Sequence, residues 1–376
     1  MSTDDTSLDQ LRSEISAIDE EILKLAARRL ELSKRVGEYK QRFQMPIKDY
    51  QVEKQVIEKA RQRAAQLAIY PSMAESLIKT LIHYSVLHQD ELTRRHEAHK
   101  KTSQKRALIV GGLGLMGQWF AHFFEALGYQ ITLNDVATSP ESSPYFTYEP
   151  DLAKACGAAD IIVLATPLAK TAAIMENIIP LKPQGLIIEI CSLKTPVRTA
   201  LQKTQQAHLR IASIHPMFGP DVDTLAGRNI ILCQAGDEKS ELEVEEILKT
   251  TSANIIKMEL NKHDELMSYV LGASHIFNLL YATVMARSSN TLAAYEKVGG
   301  TTFKNQLEVT RAVVRENQDL YYEIQSYNQF TAELLDEIGQ TLHDYQNTIL
   351  SANRGEFKKL MEHARSYFDP ATPEPS

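Results

Sequence analysis

Apolar residues recur at Leu8, Leu11, Ile15, Ile18, Ile22, Leu25, Leu32, Val36 and Tyr39, in steps that alternate three and four. That heptad spacing predicts one helix of roughly 35 residues with an apolar seam that runs along a partner helix. The helix is expected to run to Gln44, because Pro46 in MPIKDY disfavours helical backbone in the residue before it. Two more helices are expected over about 49–68 and about 72–95, the second opened by the turn YPS. A small three-helix monomer cannot bury so long a seam, so an intertwined dimer is predicted. One slot breaks the pattern: the seam position after Leu25 holds Arg29, a cation where the spacing asks for leucine.

From residue 106 the period changes. ALIVGG, QITLND, DIIVLATP, GLIIEICS, RIASIHP and NIILC are short, β-rich and mostly continuous apolar runs, as strands of a sheet covered on both faces require. Helical segments alternate with them, which predicts an α/β Rossmann-type domain. From about 261 to 368 the chain returns to helix. Its most apolar stretch, HDELMSYVLGASHIFNLLYATVMA, reads as a core or subunit-interface helix whose polar breaks exclude a membrane span. No run is expected to approach the ~18 residues that such a span needs. The predicted organisation is multidomain: an all-α domain over 1–95, a linker over 96–105, the α/β domain over 106–260, an all-α C-terminal dimerisation domain over 261–368 and a disordered Pro-rich tail over 369–376.

Composition narrows the function. The 376 residues, 43% of them hydrophobic, supply real cores, and a net charge of -7 argues against general nucleic-acid binding and against an anionic membrane surface. TRRHEAHKKTSQKR, residues 93–106, is basic but lacks apolar periodicity, and a solvated linker is a simpler reading than an RNA-contacting arm. Cys156, Cys191 and Cys233 are scattered, form no C-x-x-C pair and sit in or beside apolar runs, so they read as buried reduced thiols. MSTDDTSLDQ has no apolar leader region, and the expected location is the cytoplasm.

GLGLMG, residues 112–117, is a G-x-G-x-x-G fingerprint. Alone it is weak, but here it follows the strand RALIVGG and opens the helix LMGQWFAHFFEALG. Gly112 is expected to allow the tight turn, Gly114 the approach of a pyrophosphate and Gly117 close helix packing, with the phosphates at the helix N-terminus. Asp135 ends the next strand, where a ribose-binding acid belongs. Its charge repels a 2′-phosphate, so NAD is expected over NADP. Thr166 and Pro167 close DIIVLA at the same sheet edge as candidates for cofactor contact, a plain turn being the alternative.

Ligands of such sheets sit beyond the carboxyl ends of the strands. IASI ends there in HPMFGP, where Pro216, Gly219 and Pro220 hold the turn. A neutral His215 at that spot could accept a proton from a hydroxyl as hydride leaves its carbon; a histidine that caps a strand is the plainer alternative. Ser192, after IIEIC, is placed to orient that imidazole or a nicotinamide. His263 and His275 stand roughly 120° apart around one helix, so no shared metal ion is expected.

LRSEISAIDEEIL, RRLEL, VGEYK and SVLHQ, followed by the basic linker, GGLGLMG and HPMFGPD, together resemble the bifunctional chorismate mutase/prephenate dehydrogenases of tyrosine biosynthesis, over about residues 5–325. The resemblance implies a domain-swapped homodimer that binds a dicarboxylate between its long helices. Arg12 of one protomer and Arg29 of the other would grip the carboxylates, and Lys40, helped by Gln89, would face the ether oxygen. Asp49 or Glu53 would orient the ring hydroxyl, and Ser85 would add a carboxylate contact. Helical geometry is compatible, since Arg29 and Lys40 share a face roughly 16 Å apart and Arg12 points roughly 100° away from Arg29. For the second half, the resemblance implies His215 as base toward the ring hydroxyl, hydride transfer to NAD with loss of carbon dioxide, and 4-hydroxyphenylpyruvate as product. Arg311, in TRAVVRENQDLYYEI, would bind a substrate carboxylate, and tyrosine would be a feedback inhibitor.

Two positions depart from the family pattern. Val52 stands where the second mutase helix usually carries arginine, with Lys48 as a nearby substitute. An impaired mutase, or substrates of the 4-amino-4-deoxychorismate series, are the corresponding alternatives. Arg311 is one residue off the usual spacing, so Ala312 takes its place unless the turn carries an insertion, and Lys304 and Arg315 are substitutes. The β-hydroxyacid dehydrogenases share the G-L-G-x-M-G opening, but their later G-x-x-G-x-G-x-x-x-K segment has no counterpart here. A non-enzymatic NAD-sensing module would leave the cations of the first seam unexplained.

Overall fold

The computed structural model describes residues 8–43, 49–93, 105–137, 146–222 and 224–368. Contacts divide the chain into two compact units, with the boundary after Leu260.

The first unit opens with three helices, α1 (Leu8–Arg42), α2 (Tyr50–Gln66) and α3 (Pro71–Thr93). Asp49 caps α2 by accepting the Val52 N–H at 3.1 Å, which satisfies one of the donors a helix start leaves unpaired. Gln44 and Lys48, most of the expected linker and the tail from 369 lie outside the described residues. The seam of α1 keeps its predicted face but is left uncovered by the described residues: Leu8, Leu11, Ile15, Ile18, Ile22, Leu25, Leu32, Val36 and Tyr39 are between 45% and 63% exposed. Helix α2 is the opposite case. Its Tyr50 enters the main core against Phe123, and Ile57 packs with Ile82 of α3 and Ala226.

The eight strands are β1 (Arg106–Val110), β2 (Gln130–Asn134), β3 (Thr147–Tyr148), β4 (Ile161–Leu164), β5 (Leu186–Glu189), β6 (Ile211–Pro216), β7 (Asn229–Gln234) and β8 (Asn254–Glu259). They form one sheet in the order β3-β2-β1-β4-β5-β6-β7-β8, parallel throughout except for the antiparallel β6–β7 pair. Between them lie α4 (Leu115–Ala126), α5 (Leu152–Gly157), α6 (Leu168–Ile178), α7 (Arg198–Gln206) and α8 (Glu238–Lys249). The chain winds outward from β1 in both directions, so the order reverses between β1 and β4, where an open α/β sheet binds its ligand. All six expected strands are present. Leu108, Ile109, Ile162 and Val163 are fully buried, each contributing about 1.5–3 kcal/mol of apolar transfer. The two strands that the pattern did not announce, β3 and β8, are the sheet's edges; β8, NIIKME, is largely exposed and so lacks a continuous apolar run.

The second unit is helical. Helix α9 (Leu260–Met267), a π-helical turn (Ser268–Ala273) and α10 (Ser274–Ala286) follow without a break, then α11 (Leu292–Val298), α12 (Thr301–Arg315), α13 (Gln318–Tyr327), α14 (Thr331–Leu350) and α15 (Arg354–Phe368). The run Leu260–Ala286, 27 residues, is long and apolar enough by length and composition to cross a membrane, which corrects the expectation that no stretch is. Its charged residues cluster at the start, in NKHDE over 261–265, and leave the rest of the run apolar. At its start, however, His263 and Asp264 are fully buried and joined at 2.6 Å, a pairing suited to a protein core.

Candidate active sites

The glycine loop joins β1 to α4 at the switch point. The left-handed turn falls on Gly111, with φ +79, rather than on Gly112, to which the fingerprint assigned it. Gly112 is required for another reason: a Cβ there would lie 2.8 Å from the Ile109 carbonyl oxygen and 2.9 Å from Leu133. A Cβ on Gly117 would meet the backbone of Gly111 and Gly112, so the helix seats directly on the turn. Gly114, the N-cap of α4, meets only the Gly111 carbonyl oxygen, at 3.3 Å, and is the least crowded of the three fingerprint glycines. It is therefore the position where a phosphate can approach backbone N–H groups. Asp135 accepts the Leu113 N–H of this loop at 3.0 Å and the Ala137 N–H at 3.1 Å, which fixes its carboxylate at the end of β2. Thr166 follows β4 with its hydroxyl 2.8 Å from that of Thr171, and Pro167 caps α6.

Parallel pairing brings the carboxyl ends of β5 and β6 to the same edge. Ser192 is half-buried in the turn after β5, and His215 is buried near the end of β6. Beneath them lies a pair that sequence reasoning missed. Lys194 and Glu189 are both fully buried, with Nζ 3.0 Å from Oε2. Lys194 also donates to the carbonyls of Cys191 and Ile214, each at 2.8 Å, and Glu189 accepts from the Ser213 hydroxyl at 2.7 Å and from the Cys191 N–H. Burial works hardest against the ammonium, yet the Glu189 charge and hydrogen bond together with the neighbouring Cys233 and Cys191 outweigh it, and the Lys194 pKa is raised. The pair thus stitches the residue before His215 to the residue before Ser192. Burial, together with the Glu189 charge, pushes the Cys191 thiol well above its ordinary range, as fits an inert cysteine; Cys156 and Cys233 are likewise buried, and none of the three forms a disulfide.

In the helical part, Arg29 leaves the seam and turns inward. Its Nη1 donates to the Leu81 carbonyl and to the Ser85 hydroxyl, both at 2.9 Å, so two of the expected ligand contacts already meet. Burial lowers the pKa of Arg29 and of Lys40, the latter countered by the negative charge of Asp49. Arg12 is exposed near the far end of α1, beside Asp9 at 3.6 Å. Gln89 belongs to α3, but its side chain is outside the described residues. Glu53 departs from the expected arrangement: its Oε1 accepts from the hydroxyls of Thr224 and Ser252, the latter at 2.8 Å, and the carboxylate faces the sheet domain.

In the second unit Arg311 pairs with Glu296 beside a cavity of about 330 Å³ lined also by Tyr281, Met285, Tyr295 and Leu307. His275 is buried, stacks on Tyr321 at 4.0 Å between ring centroids, and has no partner for Nδ1; burial lowers its pKa. Among the described residues, no three His, Cys, Asp or Glu side chains are grouped to hold a metal ion.

Three family models match the chain in succession: chorismate mutase type II over residues 11–90, the prephenate dehydrogenase nucleotide-binding domain over 128–257, and the prephenate dehydrogenase dimerisation domain over 259–363. The T-protein of Haemophilus influenzae is 24% identical over 96% of this chain and 92% of its own length. The 4-amino-4-deoxyprephenate dehydrogenase of Streptomyces pristinaespiralis is 23% identical over 59% of this chain and 77% of its own. Among solved structures, the prephenate dehydrogenase of Aquifex aeolicus with hydroxyphenyl propionate and NAD+ superposes with a TM-score of 0.57 at 19% identity, over 72% of this chain and 99% of that one. The arogenate dehydrogenase of Synechocystis gives 0.55 at 18% identity, over 70% and 99%.

Proposed function

We infer a division of labour from one premise: the chain belongs to the bifunctional family that joins a type II chorismate mutase to the nucleotide-binding and dimerisation domains of a prephenate dehydrogenase. It rearranges chorismate to prephenate, then converts prephenate to 4-hydroxyphenylpyruvate with NAD. The observation that carries the reading is the one cation in the apolar seam, Arg29, held against Ser85 of α3.

Rearrangement is pericyclic and needs no nucleophile, only confinement of the substrate and stabilisation of charge on the breaking ether oxygen. Arg29 and Ser85 hold one carboxylate, Arg12 of the second protomer holds the other, and Lys40 with Gln89 faces the ether oxygen. Asp49, exposed at the start of α2, takes the ring hydroxyl, since Glu53 is engaged elsewhere. Val52 supplies no charge at its position.

In the dehydrogenase half, the glycine loop and Asp135 suit a dinucleotide: Gly114 leaves the loop open while Gly112 and Gly117 close-pack it, and the Asp135 carboxylate disfavours a 2′-phosphate. Thr166 and Pro167 border this loop across the switch point. Bound there, NAD supplies the hydride acceptor. His215 accepts the proton of the ring hydroxyl, Ser192 orients it, and Arg311 binds a substrate carboxylate by exchanging Glu296 for it. The working form is a cytoplasmic homodimer built through the α1 seams and the C-terminal helices, with tyrosine as a feedback inhibitor.

The test is NADH formation by purified protein given NAD and either prephenate or chorismate. Turnover of both is expected; failure with both sinks the reading. Turnover of the 4-amino analogues alone would establish the second reading, which Val52 and the similarity to the Streptomyces enzyme favour.

A further inference from the structure

Helix α2 touches both elements that shape the dehydrogenase edge. Tyr50, its first residue, packs on Phe123 of α4 at 5.3 Å between ring centroids, and α4 is the helix that begins at the glycine loop. The segment that leaves His215, described over residues 217–222 and 224–228, is fastened at several places. At its root Phe218 packs on Trp119 of α4 at 5.0 Å, and Met217 N–H donates to the Asn229 carbonyl. In its middle the Val222 carbonyl accepts the Trp119 indole N–H at 3.0 Å. Near its far end Thr224 donates its hydroxyl to Glu53 and accepts the Ala226 N–H, while Ser252, ahead of β8, donates to the same Glu53 oxygen. The first two fastenings are internal to the sheet domain; the third, and the packing of Ala226 on Ile57 of α2 and Ile82 of α3, are made by mutase helices.

We propose that Glu53 is a positioning residue for the dehydrogenase reaction, acting across the domain boundary through Thr224 and Ser252 to hold the segment that follows His215. A carboxylate that accepts two hydroxyl hydrogen bonds fixes both donors, and such charged acceptors are about twice as strong as neutral ones. Loss of this hold loosens the chain around Thr224 relative to α4, and a displacement of about 1 Å at a reacting centre costs on the order of a hundredfold in rate. The inference rests on the two-reaction reading above; if the wild-type protein turns over neither substrate, that reading fails before any variant is made.

The experiment follows prephenate dehydrogenation and chorismate rearrangement separately in the full-length dimer. Glu53→Ala is expected to lower kcat/KM for prephenate about tenfold, mostly through kcat, with Glu53→Gln, which keeps an acceptor oxygen, recovering most of the loss. Thr224→Val, which leaves the mutase helices untouched, is expected to reproduce the dehydrogenase defect with the mutase rate unchanged. The double variant Glu53→Ala/Thr224→Val should be no worse than Glu53→Ala alone, the non-additivity of two groups in one contact. If Glu53→Ala abolishes rearrangement and leaves prephenate oxidation intact, Glu53 belongs to the mutase site alone and the proposal is overturned. If Glu53→Ala damages both reactions, Thr224→Val decides: normal dehydrogenation in that variant also overturns it.

Discussion

Two apolar patterns in this chain meet opposite fates. The strands β1, β4 and β5 are buried along almost their whole length, while the seam of α1 is about half exposed at every position. The difference lies in what each pattern needs. A strand run is covered by helices that the same stretch of chain supplies, so the sheet domain closes on itself. A heptad seam of that length asks for another helix of the same length, and neither α2 nor α3 provides it. One region is thus finished by folding; in the proposed homodimer the other is finished by association.

If the comparison holds, the two reactions separate cleanly. His215→Asn should lower NADH formation from prephenate by about 10²–10⁴-fold, the usual worth of a general base, and leave chorismate consumption unchanged. The mutase should show the opposite dependence on partnership. Arg12→Ala and Arg29→Ala are each expected to reduce chorismate turnover by about 10²–10³-fold, as for loss of a preorganised charge donor. Co-expressed, they should regain about a quarter of wild-type activity, because random pairing in a two-fold dimer makes half the dimers mixed, with one of two sites intact. Recovery absent from the mixture would mean that each site is built within one chain.

The self-contained region can be broken from inside. Lys194→Met strands Glu189 without its countercharge and should destabilise the fold by about 3–5 kcal/mol in denaturant unfolding, while Glu189→Leu/Lys194→Met together should recover part of that loss. The smallest effect belongs to the helices. Glu75, hydrogen-bonded by Arg61 and Lys79, has its pKa lowered to about 2. A carboxylate depressed in the folded state stabilises above its ordinary range and ceases to do so as pH falls toward about 2. With Arg61 more than half exposed, Glu75→Gln should remove no more than about 1 kcal/mol, readable as a flatter acid limb of stability against pH.

The sequence made the sheet and the three N-terminal helices legible because both depend on local period. Edge strands β3 and β8 escaped because one neighbour and partial exposure leave no apolar run to read. The glycine fingerprint located the loop, yet assigned the turn one residue late: only φ distinguishes Gly111 from Gly112, and both are glycine. Lys194 was unreadable for a different reason. Lysine is normally a surface residue, and one of the acceptors that hold it inside, the Ile214 carbonyl, lies 20 residues further on in β6. Glu53 fitted a motif, but Thr224 and Ser252, which claim it, lie 171 and 199 residues away.

The uncovered seam of α1 carries one more consequence. Where a site is completed by a second copy, mass action enters its chemistry, and each tenfold dilution weakens the assembled state by about 1.4 kcal/mol. In the proposed homodimer the amount of protein present becomes a variable of the first reaction, so its specific activity should fall on dilution in the assay tube, at a concentration set by how tightly those nine apolar side chains close against their copies.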